Sequence, residues 1–179
     1  MVEKKQKVVF LDRDGVLNKP IIIKGKSFAP RKIKDFIIYP NVIKYCRLLK
    51  KKFLLIVITN QPDIKRNLIS LKEIKLMHKK LYNLIKYDNL YYSIALNKNS
   101  FMRKPNPGML IKAIKDFNIN PKKSYMIGDR WSDIKAGNKV GCKTIFIDRN
   151  YNEKKPSLQD YNASSFSSAA RIILNDKNR

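Results

Sequence analysis

The chain has 179 residues, a length that suits one domain with room for a tail. Apolar residues make up 44% of it, enough for a packed core, yet no apolar run reaches membrane-spanning length, which excludes a transmembrane helix. With 39 Lys and Arg against 14 Asp and Glu the net charge is +25, so an anionic partner or substrate fits; the lysines are spread along the whole chain, which fits a bias of composition and solubility better than a dedicated polyanion site.

KVVFL (7–11) comes first and reads as a strand covered on both faces. It runs into two carboxylates one residue apart, Asp12 and Asp14. The stretch from Asn18 to Pro40 is too long for a plain strand-to-helix loop, and IIIKGKSFAP within it is expected to form a small hairpin or flap. Asn41 to Lys50 places Val42, Tyr45, Cys46 and Leu49 on one stripe of a helix, and LLIVIT (54–59) follows as a second strand. Ser70 to Lys86 repeats Leu71, Ile74, Met77, Leu81, Leu84 and Ile85 at helical steps, behind a capping box of Ser70 and Glu73. His78 lies in that helix beside lysines and is expected to face solvent.

YYSIA (91–95) is a third strand, and Pro107 to Phe117 a helix with proline in its first turn. SYMIG (124–128) is a fourth strand, Ser132 to Val140 a short helix stopped at Gly141, and TIFI (144–147) a fifth strand. From Tyr151 the chain turns polar, and SSAARIILN is expected to make one last helix. Residues 1–150 are therefore expected as one domain and residues 151–179 as a C-terminal tail. No internal repeat is present in the sequence. The alternation of strands and helices predicts an α/β fold around a parallel sheet with right-handed crossovers.

Such sheets bind ligands beyond the carboxyl ends of their strands. Asp12 and Asp14 stand at the first such end, Thr59, Asn60 and Gln61 at the second, Arg103 and Lys104 after the third, and Asp129, Arg130 and Asp133 at the fourth. Clustered carboxylates repel unless a cation neutralises them, and an all-oxygen set suits Mg²⁺. A Lys and an Arg opposite that metal would grip a phosphate. One aspartate can then attack phosphorus, while the other protonates the leaving alcohol and later activates water.

DRDGVLN, ITNQ, RKPNPGML and GDRWSDIKAG, in this order from about Val8 to Asp148, resemble the four motifs of the haloacid dehalogenase (HAD) phosphatases. Within that superfamily they are most similar to the heptose-bisphosphate and histidinol-phosphate phosphatases. The resemblance implies a Rossmannoid three-layer sandwich with a minimal cap or none. It makes Asp12 the nucleophile and Asp14 the general acid/base, with Thr59 and Lys104 on the transferring phosphoryl group. It assigns Mg²⁺ to Asp12, Asp129 and the backbone carbonyl of Asp14. Asn60, Gln61, Arg103 and Arg130 fall at substrate-binding positions, Arg103 reaching the sugar's other phosphate and Arg130 replacing a lysine. Asp133 would support the loop or the metal shell, and the roles of Trp131 and Arg66 stay open.

Two departures bear on substrate. The relatives carry a zinc loop before RKP, but Ser93, Ser100 and Met102 stand where its ligands would be, so zinc is not expected. KPIII after Asn18 also lacks the polar residues that contact the sugar. The leading expectation is a Mg²⁺-dependent phosphatase of a small phosphorylated sugar, a heptose bisphosphate first. The alternatives are a polynucleotide 3′-phosphatase, a histidinol-phosphate phosphatase, or a non-catalytic binding protein on this fold. A cytoplasmic location is expected, since MVEKKQK lacks a signal-peptide core and Cys46 and Cys142 read as isolated buried thiols. The oligomeric state is open.

Overall fold

The computed structural model describes residues 5–176. Eight strands and five α-helices lie among them: β1 (Val8–Leu11), β2 (Ile21–Ile23), β3 (Lys26–Phe28), α1 (Val42–Lys50), β4 (Leu54–Asn60), α2 (Leu71–Ile85), β5 (Asn89–Ser93), α3 (Gly108–Asp116), β6 (Tyr125–Gly128), α4 (Trp131–Val140), β7 (Lys143–Ile147), β8 (Tyr161–Ala163) and α5 (Phe166–Asn175). Six strands form one sheet in the order β5-β4-β1-β6-β7-β8. Every pairing in it is parallel.

The alternation of side chains along each strand divides the core in two. Val9 and Leu11 of β1, Leu55 and Val57 of β4, and Tyr125 and Ile127 of β6 point into one layer, which α1, α2 and α5 cover. Val8, Phe10, Ile56, Ile58 and Met126 point the other way, against Met109, Leu110 and Ala113 of α3 and Ala136 of α4. The result is the expected three-layer sandwich with helices on both faces. Cys46 lies buried in the first layer and Cys142 in the second.

Strand order reverses at β1. The chain moves outward from β1 to β4 and β5, then returns to place β6 on the other side of β1. The three strands flanking that reversal are the ones that end in Asp12, Thr59 and Asp129. The segment before α1 folds as the antiparallel hairpin β2–β3, pairing Ile21 with Phe28 and Ile23 with Lys26. It is the only structure of its own that the described residues place between β1 and α1 apart from one short 3₁₀ turn, so the cap is minimal.

The polar stretch beyond residue 150 does more than the expected short helix. It adds β8, paired with β7 through Ile145 and Tyr161, and α5, whose Phe166, Ala169, Ala170 and Ile173 are buried against the first layer. A three-residue edge strand carries too little periodicity to be read from sequence. β5 also starts two residues earlier than expected, because Asn89 pairs with Ile56 and the strand ends where the Ser93 carbonyl accepts the Gln61 N–H at 2.7 Å.

Since Phe166 is only 1% exposed, Phe166→Ala should cost about 3–5 kcal/mol in urea unfolding, without changing the chemistry of the site. An unmoved midpoint would mean that α5 lies outside the cooperative fold.

Candidate active site

Register brings the expected residues together. Leu11 pairs with Val57 on one side and with Ile127 on the other, so Asp12 leaves the sheet level with the ends of β4 and β6. The Asp12 N–H donates to the Ile127 carbonyl at 3.0 Å, which ties it beside Gly128 and Asp129. A slip of one residue would turn Asp12 to the opposite face. Two glycines let the loops approach. A Cβ on Gly15, whose φ is +92°, would come 1.8 Å from Asp129 Oδ2, and one on Gly128 would come 2.1 Å from the Cβ of Asp133.

Lys104 stands at the centre. Its Nζ donates to Asp12 Oδ1 at 2.7 Å and to the Ile58 carbonyl at 2.7 Å, and pairs with Asp133 Oδ1 at 2.7 Å. All three of its N–H donors are thereby used. Burial opposes its charge, but Asp12 and Asp133 outweigh burial and hold its pKa up at about 12. Asp133 serves two partners, because its Oδ2 also accepts the Arg130 N–H at 3.0 Å and so caps α4.

One ammonium does not neutralise the cluster. Carboxylate oxygens of Asp12, Asp129 and Asp133 lie within 4.8 Å of one another, all buried. Burial raises Asp12 to about 6, with Lys104 pulling the other way and Asp133 and Asp14 adding to the rise. Asp129 is pushed well above the usual carboxylate range by burial first and then by Asp12 and Asp133. Neither of its oxygens has a well-formed hydrogen bond among the described residues, although the Tyr151 hydroxyl is near. Three buried carboxylates at this spacing suit a cation, and their oxygen donors suit Mg²⁺.

The Asp14 carboxylate lies on the wall of the same cleft with its own set of donors. It accepts from Asn18 Nδ2 at 2.9 Å, Gln61 Nε2 at 2.7 Å and the Arg13 guanidinium at 2.9–3.2 Å. Gln61 Nε2 also donates to Thr59 Oγ1 at 2.9 Å. Asn60 clamps the backbone of Lys104 from both sides, donating to its carbonyl at 3.0 Å and accepting its N–H at 3.2 Å.

Asp12, Asp14, Thr59, Gln61, Lys104 and Asp133 line an open cleft of about 480 Å³, and Asp129 lines a smaller pocket that shares Arg130, Glu153 and Lys154 with it. Arg66, Arg103 and Arg130 form the cationic rim of the cleft. Burial and the charges of Arg66 and Arg130 lower the pKa of Arg103. Its guanidinium donates to the Ala95 carbonyl. Arg66 pairs with Asp63 at 3.1 Å, and Arg130 pairs with Glu153 at 3.0 Å and donates to the Ser27 carbonyl. Trp131 opens α4, with Lys154 Nζ 5.4 Å from its ring centre.

Sequence reading passed over several residues of this cleft. Ser27 on the hairpin and Asp63, Glu153 and Lys154 on loops lie outside any periodic pattern or motif. Arg149, whose Nε donates to the Gly15 carbonyl at 2.8 Å, gave no signal either. Arg13 gave one: an arginine between two aspartates after a buried strand has few places to go, and it is fully buried. His78 is not the expected solvent-facing residue. It lies one turn beyond Ile74, on the covered side of α2, and its Nε2 is 3.1 Å from Arg13 Nη1.

Without metal, Asp129 is a destabilising charge. Asp129→Asn should stabilise the metal-free protein at pH 7–8 by on the order of 1–2 kcal/mol. A raised folded-state pKa means that the native protein binds this proton more readily than the unfolded chain, so lowering the pH restores stability to the wild type. The gap between variant and wild type should therefore close toward pH 4. Thermal melts across that range check it, and a gap independent of pH would contradict the assignment.

Comparison with known proteins identifies the family. The model of the HAD-hydrolase-like family matches residues 101–168. A D-glycero-alpha-D-manno-heptose-1,7-bisphosphate 7-phosphatase of Campylobacter jejuni is 36% identical over 157 residues, covering 84% of this chain and 86% of the relative. The enzyme of that name from Photorhabdus laumondii is 33% identical over 161 residues, covering 82% and 85%. A crystal structure of the D,D-heptose 1,7-bisphosphate phosphatase of B. bronchiseptica, complexed with magnesium and phosphate, superposes with a TM-score of 0.80 at 20% identity, covering 94% and 98%. By fold, motifs and relatives, the chain belongs to the HAD-like hydrolases, among those related to the heptose-bisphosphate phosphatases.

Proposed function

We propose that this protein is a Mg²⁺-dependent phosphatase that removes one phosphate from a sugar bisphosphate, a heptose 1,7-bisphosphate first, through an aspartyl-phosphate. The observation that carries it is Lys104 Nζ, 2.7 Å from both Asp12 and Asp133, whose carboxylate oxygens lie within 4.8 Å of those of the buried Asp129, at the mouth of the sheet. The residues would hold the metal through Asp12, Asp129 and the backbone carbonyl of Asp14, with Asp133 close by. When bound, Mg²⁺ offsets the charge of the phosphoryl oxygens, so that a carboxylate can approach phosphorus.

Asp12 forms the new bond to phosphorus as the bond to the sugar oxygen breaks. Asp14 gives its proton to that departing oxygen. Asp14 then takes a proton from the water that attacks phosphorus, the bond to Asp12 breaks, and inorganic phosphate leaves. Lys104 offsets charge on the transferring group, and Thr59 supplies a hydroxyl to it. Asn60 and Gln61 stand within the site as holders of Lys104, Asp14 and Thr59, which extends their expected substrate-binding role. Arg103, with Arg66 and Arg130, suits the second phosphate of the substrate. The reduced thiols of Cys46 and Cys142 suit the cytoplasm.

Asp12→Asn should lower phosphate release from a heptose bisphosphate by about three orders of magnitude or more, and chelation should abolish it until Mg²⁺ is restored. Full activity in Asp12→Asn would end the proposal. A panel with histidinol phosphate and a 3′-phosphorylated oligonucleotide ranks the other substrates. Mg²⁺ at about 100 times its Kd should stabilise the wild type by about 2.7 kcal/mol in a thermal shift, and Asp129→Asn far less.

A further inference from the structure

We propose that His78 is a positioning residue for the acid/base Asp14, acting through the buried guanidinium of Arg13. The inference rests on the phosphatase reading above. Arg13 is fully buried, which is rare for an arginine and demands a partner for every N–H. Its Nε and Nη2 both reach the Asp14 carboxylate, at 2.9–3.2 Å, and its Nη1 reaches His78 Nε2 at 3.1 Å. The ring of Phe36 lies 5.4 Å from the guanidinium carbon. Since the guanidinium is a rigid plane, anchoring Nη1 at one end aims the fork that holds Asp14 at the other.

The chemistry of the anchor is specific. An arginine only donates, so His78 Nε2 accepts and the imidazole is neutral, with its proton on Nδ1. Burial, then the charge of Arg13, lowers His78 to about 4, so this acceptor persists through the neutral range. A carboxylate in its place would compete with Asp14 for the guanidinium, and a lysine would repel it. A neutral acceptor holds Arg13 without diverting it. The imidazole is itself held, tilted against Tyr92 with ring centres 5.5 Å apart. Removing it would leave Nη1 a buried donor without a partner, and the guanidinium would turn to find one. Asp14 would lose its aim with it, while Asp12, Lys104 and Thr59 would stay in place.

The test separates steps that need an acid from those that do not. An alkyl phosphate, the heptose bisphosphate, needs a proton on its leaving oxygen, whereas 4-nitrophenyl phosphate releases a stable phenolate. kcat/KM covers the steps up to phosphoenzyme formation, so its ratio for the two esters in one preparation is independent of the fraction folded. His78→Leu should lower kcat/KM on the alkyl ester roughly tenfold or more and change that on the aryl ester less than about twofold. His78→Gln, which keeps a neutral acceptor, should recover most of the loss. A parallel fall on both esters, no fall on either, or a His78→Gln no better than His78→Leu overturns the inference. Wild-type protein inert toward both esters overturns the phosphatase reading and this inference with it, whereas loss of wild-type activity on both in Asp12→Asn keeps that reading intact and isolates the failure to His78.

Discussion

One ammonium group faces three buried carboxylates at the carboxyl ends of the central strands, and this imbalance shapes the site. Lys104 uses all of its donors on Asp12, Asp133 and the Ile58 carbonyl, leaving Asp129 to the neighbouring charge of Arg130, which does not offset its burial. Charges in a poorly solvated place are held by charges of the other sign, by hydrogen bonds to the charged form, or by taking up a proton. The fold tolerates the arrangement because β1, β4 and β6 fix the positions of its members from three directions.

Around that centre the polar residues form two systems, and Gln61 ties the second of them to Thr59. One comprises Asp12, Asp129, Asp133 and Lys104, suited to metal and phosphorus. The other is Asp14 with its ring of donors, Asn18, Gln61 and Arg13, backed by His78. Two carboxylates one residue apart thus stand in different surroundings, one against an ammonium and two other carboxylates, one in a cage of neutral and cationic donors. Separation of this kind gives two like side chains two roles.

The cleft remains open because the hairpin β2–β3 is small. It is tied down at its far side, where Glu153 accepts the Ser27 N–H at 2.9 Å and Asn152 donates to the Gly25 carbonyl at 2.8 Å. Its outward Ile21, Ile22 and Ile23 stay exposed. Arg66, Arg103 and Arg130 line the entrance, Arg66 paired with Asp63 and Arg130 with Glu153, a setting that favours a substrate with a second anionic group.

The sequence alone determined the order of elements and the residues at the strand ends, because buried parallel strands leave long apolar runs and the four motifs carry unusual residue pairs. Asp12, Thr59, Lys104 and Asp129 were legible for that reason. Tertiary structure alone decided what the neighbours do. Asp133 could be placed in the loop or metal shell from sequence, but its partner Lys104, 2.7 Å away and 29 residues distant in the chain, could not. His78 reads as a lysine-flanked surface residue until α2 packs over Arg13. β8 is too short to show a period, and Glu153 belongs to no pattern. Local spacing encodes which face a residue takes within its own element; which charge or donor meets it depends on register and packing between elements far apart in sequence, and that no window of the chain contains.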